Sequence, residues 1–464
     1  MATTPIERPR GSAGRLQRLL EREGLGALLV AVSIPFLFLH ERYQPSLALD
    51  LGATEAELRP SDLALAVVVL AGALGALREG WAPLRAGRAV WIAGAALLAW
   101  LAVSALRPAS LGDERVAEHL VTYLKLVEYA LFALAVPLLV RRARDLALVL
   151  AGVVVWSSIA ALVALAQFVG WGAFDAWNPG WRQPSFLGHH DLAALGALGA
   201  ALAAAGIVAG RDRVPAPRLL ALAAGAGVLG MILAGSVTAA AGLAAGAALL
   251  WLAARPGFVP SGRRTLALTA LVAVTAAGVV TIRDSDLGSF LRFLGLRGEA
   301  PAVGVESYSH RTVLAYIGLR IFADHPVAGA GWLRSSSPEV FEPYVDDARA
   351  RFPGVAEEAF PAAGREWGVQ NLYIQMLADA GAIGLVLLLA VGGAGIALAW
   401  RGARRAPDPW AAGAGLLSVC ALATLAGEWA SMGIVAGIPL QAATSLVLGL
   451  AVTSAAVAEG SIRG

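Results

Sequence analysis

Apolar runs of about twenty residues recur along the chain, separated by short polar turns. A run of that length carries an α-helix across a bilayer core of about 30 Å. The pattern predicts twelve spans, near 24–40, 62–77, 88–106, 119–140, 146–170, 189–209, 217–233, 236–254, 265–282, 371–400, 410–430 and 433–457. The division between the seventh and eighth rests on LAGS at 233–236, inside one long apolar tract. The expected fold is an all-α integral membrane protein of about twelve helices, with one large extracytoplasmic loop that contains short helices. Its parts are a basic cytoplasmic N-terminus (1–23), a first bundle of about nine spans (24–282), the large loop (283–369), a second bundle of about three spans (370–457) and a cytoplasmic tail (458–464).

Arginine placement tests that count, because turns on the cytoplasmic side collect Lys and Arg. With the N-terminus in the cytoplasm, the inner turns hold Arg78, Arg85 and Arg88; Arg141, Arg142 and Arg144; Arg211, Arg213 and Arg218; Arg255, Arg263 and Arg264; and Arg401, Arg404 and Arg405. The short outer turns hold Arg42, Arg59, Arg107, Arg115 and Arg182, two or fewer each. Eleven or thirteen spans would put the arginine-rich turns on the wrong side. The expected location is a bacterial inner membrane, with both termini cytoplasmic.

Composition agrees. The 464 residues are 58% hydrophobic and 15% charged, against roughly 25% charged in a soluble domain. Net charge is +3, almost all of it arginine, with Lys125 the single lysine. The basic residues line membrane edges instead of one patch, so no nucleic-acid partner is expected. Cys420 stands alone in an apolar run, which excludes an intramolecular disulfide and a thiolate metal site. The first apolar run lacks a small-residue cleavage site and reads as a retained span.

Two outer segments exceed a tight turn: 170–189, rich in Trp, Pro and Gly, and 283–369, far longer. Loops beyond about 12–15 residues are usually functional or disordered, and the aromatics and amphipathic tract of the second predict a folded layer. Within it, Val313, Leu314, Ile317, Ile321 and Phe322 follow helical spacing, and the helix should stop at the Asp324–His325–Pro326 turn. Arg311 falls in the first turn of that helix and Arg320 farther along. A guanidinium presents a planar fork of donors suited to phosphate. The alternative for Arg311 is an interfacial arginine meeting headgroups or Glu306.

Ionisable residues inside spans are costly, hence paired or functional. Lys125 and Glu128, three apart on one helix face, could neutralise each other or meet a substrate. Glu428 has no local partner in sequence. His189, His190 and Asp191 open the sixth span; two adjacent histidines face different ways on a helix, so a metal site is not expected. Asp191 suits the helix N-terminus, and a polar contact to substrate at the outer mouth is the alternative. In VQNLYIQMLADAGAIGL, Asn371, Gln375 and Asp379 recur every four residues on one face, which predicts the wall of a polar cleft turned from lipid. Gly381 and Gly384 would let a neighbouring helix approach closely.

Three stretches in order, PSFLGHHDLAALGALGAAL, SHRTVLAYIGLRIFADHPVAGAGW and NLYIQMLADAGAIGLVLLL, resemble the bacterial O-antigen ligase and O-antigen polymerase superfamily. The likeness covers about the C-terminal two-thirds. It implies glycan transfer on the outer face of the inner membrane, from a polyprenyl-diphosphate-linked saccharide. The acceptor would be a hydroxyl on lipid A–core or on another lipid-linked glycan, in contact with membrane lipid and with no metal or cofactor. Arg311 matches the family's loop arginine, which holds the diphosphate. Gln370 stands where the family has a histidine proposed to assist the acceptor hydroxyl, with Asn371 beside it. An amide cannot act as a base. Many relatives also carry a Ser–Arg pair where this chain has Ser236–Val237. The implied catalytic set is Arg311, Gln370 and Asn371; the implied substrate contacts are Arg320, Arg182, His310, His190, Gln375 and Asp379. His310, Glu357, Glu358 or Glu366 could supply the missing base. Competing readings are an exopolysaccharide polymerase, an inactive glycan-assembly component and, as a different class, a secondary transporter, although no internal duplication is evident.

Overall fold

The computed structural model describes residues 24–50, 55–113, 115–214, 216–254, 261–293, 307–362, 364, 367–435 and 437–462. The basic segment 1–23, Glu306 and Glu366 lie outside the described residues.

Every predicted apolar run is a helix. In chain order they are α1 (Leu25–Leu37), α2 (Pro60–Glu79), α3 (Arg88–Ala105), α4 (Val116–Leu139), α5 (Ala143–Phe168), α6 (His189–Ala209), α7 (Leu220–Ala234), α8 (Val237–Ala253) and α9 (Gly262–Ile282). Then come the longer helices of the long segment, α10 (Asp284–Phe293), α11 (Ser307–Asp324) and α12 (Val345–Arg351). The last three are α13 (Leu372–Arg405), α14 (Pro409–Trp429) and α15 (Pro439–Ala458). Among the described residues, ten helices are long and apolar enough to cross a membrane, and α1 and α8 are shorter apolar helices. The chain therefore has the architecture of a multi-pass membrane protein.

One element departs from the all-α expectation. Residues Leu47–Asp50 (β1) and Glu55–Leu58 (β2) form an antiparallel hairpin that pairs Leu47 with Leu58.

Helices α6, α14 and α15 are buried almost throughout and form the centre of the bundle. Their Ala and Gly content explains why. Without a hydrophobic drive between helices in lipid, small residues let backbones touch and maximise dispersion. A Cβ on Gly227 of α7 would lie 2.4 Å from the Ala200 backbone nitrogen of α6, and one on Gly242 of α8 would lie 2.7 Å from the Thr424 carbonyl of α14. The long apolar tract breaks at Gly235, which ends α7 at φ 65°, and Ser236 caps α8 by accepting from the Ala239 amide.

Helix α11 buries Val313, Ile317 and Ile321 against Phe341, Val345, Phe360 and Ala378 of α13. It stops before His325, and the turn that follows enters a break in α13. Gly381 there has φ 69° and ψ −169°. The freed backbone groups are met by residues 326–331: Ala330 and Gly331 amides donate to the Ala378 and Asp379 carbonyls at 2.8 and 3.0 Å, and the Ala382 amide donates to Pro326 at 2.9 Å. Irregular backbone at such a depth is tolerated where protein satisfies it. The partner that Gly381 admits is thus this turn, not a neighbouring helix. A Cβ on Gly381 would lie 2.2 Å from the Val327 carbonyl oxygen, and one on Gly329 would lie 2.2 Å from the Asp379 carbonyl carbon. Arg107, just after α3, donates to the carbonyls of Ala328 and Gly329 and clamps the turn from outside.

Candidate functional site

Helix ends of one sign of direction meet at one face of the bundle: the starts of α6, α8 and α13, and the ends of α7, α9 and α14. Helix α11 lies across them. Gly318 of α11 packs on Val369 and Ile374, where an added Cβ would come within 2.9–3.0 Å of their methyl carbons. This contact lays the first turns of α11 over the entry to α13 and fixes the distance from Arg311 to Gln370.

Arg311 Nε donates to Gln370 Oε1 at 2.8 Å, and its Nη2 lies 3.1 Å from His190 Nε2. Behind His190, Nδ1 lies 2.5 Å from Glu428 Oε1. The Glu428 side chain is only 1% exposed, against 21% for His190. Its other oxygen accepts from Ser236 Oγ and from Thr238 Oγ1. Ser431 Oγ donates to Oε1 at 3.3 Å. Glu428 is therefore a buried carboxylate surrounded by hydroxyl donors, with an imidazole as its outward partner. The chain Gln370–Arg311–His190–Glu428–Ser236 joins five residues from separate places in the sequence.

The donor and acceptor inventory assigns the imidazole tautomer. A guanidinium only donates, so Nε2 beside Arg311 carries the lone pair. An ionised carboxylate only accepts, so Nδ1 carries the proton that Glu428 receives.

Beside this chain lies a recess of about 30 Å³, lined by Arg182, His190, Ser236, Arg283, Arg311 and Ser431. That is room for a water-sized group. Gly235 makes the recess possible: a Cβ there would lie 3.1 Å from Arg182 Cβ and 3.2 Å from Arg283 Cδ. Arg182 stacks over the Trp177 ring at 4.4 Å, and Arg283 Nε lies 2.9 Å from Asp286. Three guanidiniums thus share one recess, and the Glu428 carboxylate lies behind its wall, bonded to the lining residues His190 and Ser236. Arg283, Ser236, Thr238 and Ser431 were not among the site residues expected from sequence, whereas His190, the imidazole partner of Glu428, was. The only signal for Arg283 is its place at the end of the ninth apolar run.

The other sequence candidates separate from this cluster. Asn371 caps α13, accepting from the Tyr373 and Ile374 amides and donating to the Ala430 carbonyl at 2.8 Å. Gln375 accepts from the Ile434 amide, and Asp379 from the Ser335 amide at 2.8 Å. The stripe expected to line a cleft instead staples backbone from 430–434 and 330–335 onto α13, because Asn371, Gln375 and one oxygen of Asp379 each meet a main-chain group. Arg320 is half exposed and pairs with Asp347 of α12 at 2.9 Å. His310 Nδ1 bonds the Ala359 carbonyl at 2.7 Å and packs on Trp367, and burial holds its pKa below the ordinary 6.5. Glu357 pairs with Arg349. These positions hold the 307–369 layer together.

Two more expectations change. Lys125 pairs with Asp62 of α2 and lies farther, 3.8 Å, from Glu128. Asp191 accepts from the Leu440 amide at 2.9 Å and so caps α15 instead of its own helix.

A second, apolar cavity of about 600 Å³ runs along the bundle among α3, α4, α13, α14 and α15. Its lining includes Leu372, Tyr373 and Trp429, which lie within three positions of Gln370 or Glu428 in the chain.

No protein-family model matches the chain, and no curated protein matches it.

Proposed function

We propose that this protein is a membrane-embedded glycan transferase that takes its saccharide from a polyprenyl-diphosphate donor, on the outer face of a bacterial inner membrane. The observation that carries the reading is the recess where Arg182, Arg283 and Arg311 converge beside His190. Breaking a sugar–diphosphate bond develops negative charge on the leaving group. Fixed guanidiniums in a site shielded from water stabilise that charge without reorganising. Guanidinium forks also match phosphate oxygens in geometry.

The apolar cavity supports the same reading. A donor of this class carries a long isoprenoid tail beside a charged diphosphate. The cavity near Leu372 and Trp429 would take the tail, and the arginines bordering the recess would bind the head from its mouth. Twelve spans, an outer layer over 283–369 and cytoplasmic termini complete the proposed topology and put the recess on the outer face.

Deletion followed by glycan analysis tests the reading. A lost ligase leaves long polymer on its lipid carrier, and a lost polymerase leaves single repeats. Unchanged surface glycan with altered solute uptake would refute transfer and favour a transporter.

A further inference from the structure

A sugar hydroxyl attacks poorly unless its proton is removed in the transition state. Gln370 has no lone-pair nitrogen to receive it. Yet Gln370 and His190 flank the same guanidinium, bonded to its Nε and Nη2. We infer that His190 is the general base of this transferase, that Glu428 positions it, and that Arg311 covers its lone pair until the donor diphosphate arrives. The inference rests on the transfer reading above.

The geometry gives each part its task. Glu428 receives the Nδ1 proton and so keeps the lone pair on Nε2, on the recess side. When His190 takes a proton, the resulting cation lies against that carboxylate, which is how a buried acid makes an imidazole an effective base. Ser236, Thr238 and Ser431 hold the carboxylate in place. At rest, Nε2 accepts from Arg311. A diphosphate oxygen is a stronger, charged acceptor than a neutral imidazole. Donor binding therefore draws the guanidinium toward phosphate and uncovers Nε2 for the acceptor hydroxyl. The base becomes available only when a leaving group is in place, which disfavours abortive proton transfer before donor arrival.

The step balances. The acceptor O–H gives its proton to His190 Nε2 as its oxygen forms a bond to the anomeric carbon. The bond from that carbon to the phosphate oxygen breaks, and its electron pair leaves on the polyprenyl diphosphate. The imidazolium then returns its proton to solvent.

The test uses membranes from the deletion strain, which hold both unspent donor and untouched acceptor, and full-length protein added in nanodiscs. Binding of undecaprenyl diphosphate is measured separately by native mass spectrometry. His190→Gln should lower the initial transfer rate about 100-fold or more, the scale of a general base, while undecaprenyl diphosphate binds as in wild type. Glu428→Gln should lower the rate with binding likewise retained. The exchange His190→Gln with Gln370→His moves an imidazole to the other side of Arg311 and should recover at least about tenfold over His190→Gln alone. Wild-type transfer accompanied by near-wild-type transfer in His190→Gln would overturn the role of His190 alone. Loss of undecaprenyl diphosphate binding in His190→Gln would make the residue structural. Absence of transfer by the wild-type protein would overturn the transfer reading itself.

Discussion

Arg311 on the surface helix α11 and Gln370 at the entry to α13 are 59 positions apart in sequence, and the guanidinium Nε donates to the amide oxygen at 2.8 Å. The bond ties the folded outer layer to the bundle at the point where the recess opens. It also leaves the other edge of the guanidinium facing His190.

Arg311→Ala should abolish transfer while the protein still inserts. A hydrogen bond to a charged group is worth about 1.5–3 kcal/mol, and Arg311 makes at least two such contacts, to Gln370 and His190, besides any to phosphate. Arg311→Lys should rescue little, because an ammonium cannot reach two partners from a planar fork. Membrane fractionation and glycan analysis of complemented deletion cells check both; wild-type glycan in Arg311→Ala would remove the residue from the mechanism.

Gln370→His should be tolerated, since an imidazole nitrogen can still accept from Arg311. Gln370→Ala should slow transfer about tenfold or more, the loss of one charged hydrogen bond. Initial rates of the two variants decide this; equal and complete inactivity would show that the amide itself is required.

Gly329→Ala and Gly381→Ala should each prevent the 326–331 turn from seating in α13. Both glycines have φ near 69° or 66°, and an added Cβ would lie 2.2 Å from facing backbone. The left-handed backbone alone costs a non-glycine residue about 1–2 kcal/mol. Gly354→Ala, with nothing within 4 Å, should be neutral. Protease susceptibility of the outer layer in purified protein separates the three variants.

The outer layer also hangs on Asp113, just before α4. It accepts from Arg334 at 2.7 Å and Ser337 at 2.6 Å. Burial acts to raise its pKa, but the Ser337 and Arg115 hydrogen bonds and nearby positive charges win and hold it below the ordinary 3.8. A depressed carboxylate adds stability above its unfolded pKa and loses it as pH falls through the folded value. Hydrogen exchange over 333–339, taken relative to the intrinsic rate at each pH, should therefore be unchanged from pH 7 to about pH 5 and rise only below the ordinary carboxylate range. Asp113→Asn should give the same rise at neutral pH, at a local cost of about 3 kcal/mol for a broken buried pair; protection equal to wild type in that variant would show that the pair does not hold the layer.

Much of this was legible in the sequence, and the reason is physical. Helices in lipid must satisfy their own backbone, so apolar length alone reveals them, and each of the twelve runs is a helix. The Ser307–Asp324 helix was legible from its apolar spacing and its stop at Pro326. The hairpin at Leu47–Leu58 was not, because two four-residue strands give too short an alternation. The site was half legible. Arg311, Gln370, Arg182 and His190 carried local signals, as polar residues at a span end or in the segments between spans. Their mutual contact did not, since it depends on how α6, α11 and α14 pack. Glu428 had no partner in sequence because its partners lie about 190 and 240 positions away. Asn371, Gln375 and Asp379 looked like a cleft wall because periodicity reports which face is polar, not whether main chain or substrate meets it.

The most direct measurement is release of the leaving group. Purified full-length protein in nanodiscs would be mixed with membranes from the deletion strain, and polyprenyl diphosphate quantified by mass spectrometry against time, with Arg311→Ala as control. Release of polyprenyl diphosphate in step with saccharide reaching the acceptor, absent in the control, is the predicted result. Unchanged lipid-linked saccharide with folded, membrane-inserted wild-type protein present would contradict the account.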